Sequence, residues 1–88
     1  PKFVGMFRDG TEKNLAKLWE AVEKRDVAGL RVGAHAIVGA AGNIGAQRVL
    51  ALALRIEDAA ISGRLDEAVS LLQPLAAEYD TFVRETER

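Results

Sequence analysis

The residues with chemistry to offer are few. The chain holds a single histidine, His35, and no cysteine. An imidazole near neutral pH can be a nucleophile, an acid–base group or a metal ligand. One histidine without cysteine is a poor zinc set, which usually needs three or four nitrogen or sulfur ligands. That leaves nucleophilic and acid–base chemistry, and both depend on how the ring is presented.

The pattern around the histidine is helical. Val27, Leu30, Ala34, Ile37, Ala41 and Ile44 recur at spacings of 3 and 4, the signature of one buried helix face. His35 follows Ala34 and so turns about 100° away from that stripe, toward solvent or the bundle edge. Ala28, Arg31, Val32, Val38, Gly39 and Gly42 share its side of the helix. Apart from Arg31 none is charged, and most are small. An ordinary exposed face carries Lys and Glu, as the preceding segment does with Glu12, Lys13, Lys17, Glu20, Glu23 and Lys24. Gly39, one turn beyond His35, sacrifices helix stability. Close approach of another molecule to the imidazole would explain it.

A carboxylate is placed to help. Glu57 lies 13 residues after Ile44, and Arg31 lies 13 before it. If the chain turns back near Ile44, Glu57 sits near the level of Arg31. Helical side chains lean toward their own N-termini, so His35 and Glu57 in opposed helices lean toward one another. Glu57 could then accept a hydrogen bond from one ring nitrogen and leave the other as a nucleophile.

Four segments must position these groups: about 3–25, 27–42, 46–62 and 64–87. Asp26 is an expected N-cap, Gly42-Asn43-Ile44-Gly45 an expected tight turn, and Gly63 an expected C-terminal cap. The first segment carries Phe3, Phe7, Leu15, Leu18 and Val22; the fourth carries Leu65, Val69, Leu72, Ala76, Tyr79 and Val83. The third is apolar nearly all round, from Val49 to Leu54 and Ile56, which predicts a central helix whose apolar residues are core. Trp19 is expected in the core or a groove. Asp9-Gly10 could interrupt the first helix, and Pro74 removes one hydrogen bond from the fourth and should kink it. Nothing alternates as a half-buried strand does. The expected fold is all-α, an antiparallel up-down-up-down four-helix bundle.

Composition narrows the function classes. The 88 residues allow one domain, residues 1–88. With 12 basic and 13 acidic residues the net charge is −1, which disfavours nucleic-acid binding or contact with an anionic membrane. No apolar run is expected to span a bilayer, and no signal peptide is evident. The absence of cysteine suits a cytoplasmic setting. A start at Pro1 rather than Met fits a piece cut from a longer protein.

The run AHAIVGAAGNIGA, residues 34–46, resembles the signature of histidine-containing phosphotransfer (HPt) domains. The family pattern has a histidine, a glycine four residues on, an aliphatic residue and glycine closing the helix, and a later Leu-Glu-like pair. His35, Gly39, Ile44 with Gly45, and Ile56 with Glu57 stand at those positions. Residues 64–82, RLDEAVSLLQPLAAEYDTF, resemble the family's last helix.

The resemblance implies a phosphorelay carrier, often the last domain of a hybrid sensor kinase whose parent can be anchored in the inner membrane. His35 would accept a phosphoryl group from a receiver-domain phospho-aspartate and pass it to the aspartate of a response regulator. Glu57 and Arg31 would support it, and Ala28, Val32, Val38, Gly39 and Gly42 would form the docking face. The domain would bind no nucleotide or other cofactor, with Mg²⁺ supplied by the receiver, and would act as a monomer. The chain departs from its kin at Val38, where many members carry Lys or Arg; Arg31 could substitute in part. Two other readings stay open: a chemotaxis-type kinase domain phosphorylated by a separate ATP-binding domain, and a helical adapter without chemistry.

Overall fold

The computed structural model describes the backbone of residues 2–86 and the side chains from Gly5 to Thr86. The side chain of Phe3 and the expected last helical residue, 87, lie outside the described residues. Four helices follow one another: α1 (Lys2–Lys24), α2 (Val27–Ile44), α3 (Gln47–Ile61) and α4 (Leu65–Thr86). No strand occurs among the described residues. The molecule measures 38 × 19 × 18 Å, so each long helix nearly spans it.

The connections are short because the helices end the same way. At each of the first three ends, a residue one or two positions past the helix takes a left-handed conformation and two backbone N–H groups fold back onto the last turn, satisfying carbonyls a helix end leaves bare. After α3, Gly63 has φ 74°; its N–H reaches the Ala60 carbonyl, and Arg64 N–H reaches Ala59 at 2.8 Å. After α2, Gly45 has φ 79° and Ala46 N–H reaches the Ala41 carbonyl at 3.0 Å. The expected turn therefore starts later than Gly42. α2 runs through Gly42 and Asn43 to Ile44, because one left-handed residue is enough to stop it. After α1, Arg25 takes this role at φ 51°, and Asp26 N–H reaches Ala21 at 2.8 Å. Asp26 also caps α2 as expected, accepting from Gly29 N–H at 3.0 Å.

The suspected break in α1 does not occur, and Pro74 does not interrupt α4. α1 is continuous through Asp9-Gly10, with Asn14 Nδ2 donating to the Gly10 carbonyl at 3.0 Å. α4 is continuous through Pro74, which sits on the exposed side where water can serve the carbonyl it leaves unpaired.

Leu18, Leu30, Ile37, Ile56, Leu72 and Leu75 are fully buried and form the centre of the core; each contributes roughly 1.5–3 kcal/mol by leaving water. α2 packs on α1 and α3, and α3 on α2 and α4, while α4 meets α1 more sparingly. That last seam is fastened by Phe7 against Tyr79 and Phe82, with ring centroids 5.9 and 5.4 Å apart, and by Tyr79 Oη donating to Glu12 at 2.7 Å.

Several expectations about burial change. Trp19 is exposed rather than in the core, because it lies at the margin of the inward stripe of Leu15, Leu18 and Val22, about 70° from its centre. Val27, first in the stripe of α2, is exposed since it lies at the helix end. α3 is not core all round. Its inward stripe is Val49, Ala53, Ile56, Ala59 and Ala60, so Leu54 and Ile61 face outward. α2 also corrects the view that no apolar run is long enough for a membrane. Its 18 residues have mean hydropathy 1.2, yet only 28% of the helix is buried. Length and composition pass the test because the uncovered face is built of Ala, Gly and Val instead of charge.

Candidate functional site

α2 presents its outward face because of what its inward face needs. Leu30, Gly33, Ala34, Ile37 and Ala41 are buried. Gly33 lets α1 come close: a Cβ there would lie 3.0 Å from Leu18 Cδ2. With that seam closed, the residue after Ala34 must turn outward. The His35 side chain is 76% exposed.

The exposed ring is nevertheless held. His35 Nδ1 lies 2.7 Å from Glu57 Oε2, and the Glu57 side chain is only 18% exposed. A carboxylate has no proton to give, so Nδ1 carries the hydrogen and donates. Nε2 is left with its lone pair and no partner among the described residues. Glu57 can reach because it follows the buried Ile56 by one position, which places it at the edge of α3 beside α2. The convergence expected from the two leaning side chains is the geometry found.

The other expected site residues divide. Ala28, Arg31, Val32, Gly39 and Gly42 are all exposed on α2, and Val32 is 63% exposed. A Cβ added at Gly39 or Gly42 would meet nothing within 4 Å. Val38 is the exception. It is half-buried and packs against the core, because it lies about 60° from His35 around the helix on the side toward α3. It borders the exposed face rather than standing on it. Arg31 is rotated to the same side and lines a shallow groove with Val27, Ala28, Ala60 and Ile61. Val32 turns the other way, toward a groove it shares with Lys17, Glu20 and Lys24 of α1.

Leu54 and Ile61, one turn either side of Glu57, were missed as surface residues. Their spacing of −3 and +4 from Glu57 is the signal that could have placed them on its face. A further groove of about 350 Å³, lined by Arg48, Glu78 and Phe82 among others, opens at the Gly45 connection. It lies ten residues along from His35, roughly 15 Å of helix, and does not include the ring.

The arrangement offers one oriented nucleophilic nitrogen on an open, charge-poor surface. It does not enclose a small substrate. Whatever reacts at Nε2 must bring its own binding groups to a face that leaves room for them.

Comparison with curated proteins and with solved structures finds no match in either set. The model of the Hpt domain family matches residues 2–85, nearly the whole chain. An exposed histidine on a four-helix domain is what such a phosphorelay carrier displays, and the chain belongs to the Hpt domain family.

Proposed function

We propose that Nε2 of His35 takes a phosphoryl group from the phospho-aspartate of one receiver domain and yields it to the aspartate of another. The observation that carries this reading is a histidine pinned through Nδ1 at 2.7 Å while most of its side chain remains exposed. The Nε2 lone pair attacks phosphorus, the P–O bond to the receiver aspartate breaks, and its electron pair leaves on that carboxylate. The proton stays on Nδ1, so the phosphorylated ring is cationic, and the Glu57 carboxylate offsets that charge. In the second transfer a carboxylate oxygen of the receiving aspartate attacks phosphorus, the P–N bond breaks and a neutral imidazole, still protonated at Nδ1, leaves. One pairing thus serves both directions.

The rest of the reading follows from this role. Ala28, Val32, Gly39 and Gly42 leave space for the receiver, with Val38 at the border. The receiver supplies Mg²⁺ and most of the stabilisation of the transferring group. The bundle is antiparallel, up-down-up-down, a topology favoured by its two- and three-residue connections and by the His35–Glu57 pairing of α2 with α3. The domain works as a monomer in the cytoplasm, within the phosphotransferase chain of a hybrid sensor kinase.

The test is transfer from a receiver domain of the source organism phosphorylated with acetyl phosphate, in Mg²⁺ and without ATP. The expected result is an acid-labile label on the wild-type chain and none on His35→Gln. A label that survives His35→Gln, or labelling only by a kinase with ATP, would contradict the reading.

A further inference from the structure

We propose that the receiver docks across α2 and α3, with Leu54 and Ile61 of α3 as its apolar anchors on either side of the Glu57–His35 pair. The inference rests on the phosphorelay reading and adds to it the source of the partner's binding energy. Glu57 Oε2 lies 2.7 Å from the imidazole, so residues one turn from Glu57 stand beside the reaction. Leu54 and Ile61 are those residues, about 4.5 and 6 Å from Glu57 along the axis of α3. Their side chains are large and apolar, yet 45% and 63% of their surface stays exposed. The bond that holds the ring is made by Glu57 and not by them.

The chemistry at the ring identifies the occupant of this surface. A protein that reacts at His35 must touch the imidazole, and a transient protein contact covers about 600–800 Å² on each partner, a patch roughly 14 Å in radius. Leu54 and Ile61 fall inside such a patch centred on the ring. The α2 face alone gives the partner room but little to hold. Covering Ala28, Gly39 and Gly42 removes little apolar area from water, whereas a Leu or Ile side chain contributes far more. The apolar surface is also continuous across the seam, since Ile61 lines one groove with Val27, Ala28, Arg31 and Ala60. The α1 side differs. There the groove beside Val32 carries Lys17, Glu20 and Lys24, and Lys24 is already paired with Glu20 at 2.7 Å in full contact with water. A receiver seated on both α3 anchors encloses Glu57 between them. It thereby shields the bond to His35 from water, which strengthens that bond while the phosphoryl group is in transit.

The experiment measures initial transfer rates against the concentration of phosphorylated receiver domain, in Mg²⁺, for wild type, Leu54→Gln and Ile61→Gln. Glutamine keeps helix propensity and a stem of similar length, so the bundle should stay folded. Loss of an apolar anchor raises KM by about tenfold in each variant, with the smaller change in maximal rate. Phosphoramidate, a small donor that needs no docking surface, serves as the second readout. It should phosphorylate His35 in both variants as fast as in wild type. A wild-type KM in both variants would overturn the proposal. Equal slowing with receiver and with phosphoramidate would also overturn it, because the defect would then lie in the ring's own environment. Absence of transfer to the wild-type chain is a separate outcome and would count against the phosphorelay reading itself.

Discussion

The two halves of α2 use glycine for opposite reasons. In the first half, Gly29 and Gly33 are one turn apart and face structure. A Cβ at Gly29 would lie 2.7 Å from Oδ2 of the capping Asp26 and 3.2 Å from Ala21, and one at Gly33 would lie 3.0 Å from Leu18. In the second half, Gly39 and Gly42 face nothing within 4 Å. The first pair is explained by the fold, because α1 could not otherwise come so close. The second pair costs helix stability and gains no contact inside the chain. The contrast separates what the bundle needs from what an outside molecule needs, on a single helix.

Substitutions can break or sharpen that contrast. The largest stability effect is expected at Gly33→Val. Leu18 is fully buried and has nowhere to move, so overpacking should cost roughly 2 kcal/mol, read as a fall in Tm of about 10 °C. Gly39→Ala should act in the opposite sense. It adds helix propensity without a clash, a gain of up to about 1 kcal/mol and a rise in Tm of about 4–8 °C. Gly42→Ala should gain less, since it lies in the fraying last turn of α2. If Gly39→Ala lowered Tm, the second pair would have a structural purpose after all and the contrast would fail.

Much of this was legible in the residues. The stripe from Leu30 to Ala41 showed which way α2 faces, and it placed His35 outward. The leaning of side chains in opposed helices foretold the Glu57 contact. Asp26 and Gly63 marked helix ends by chemistry that a single side chain or a left-handed φ requires. Other features were hidden for physical reasons. Arg25 takes a left-handed conformation that glycine would ordinarily signal. Leu54 and Ile61 look like core residues, because hydrophobicity alone does not say whether a partner or the bundle covers them. Val38 shares the side of His35 and is also partly covered by the core. A rotation of 60° from His35 lies near the boundary between the exposed face and the α3 seam, and only packing decides it. Gly33 and Gly39 are indistinguishable by residue type; the position of Leu18 tells them apart.

The bare second half of α2 is best tested by filling it. Gly39→Lys adds a long side chain one turn from His35, where nothing in the chain obstructs it, and leaves Glu57 and the core untouched. Its thermal stability and its rate of phosphoryl transfer from a phosphorylated receiver domain should be measured on the same preparation. The account predicts a Tm equal to or above wild type together with transfer slowed at least about tenfold, equivalent to some 1.4 kcal/mol of barrier. A stable Gly39→Lys chain that accepts the phosphoryl group at the wild-type rate would contradict it.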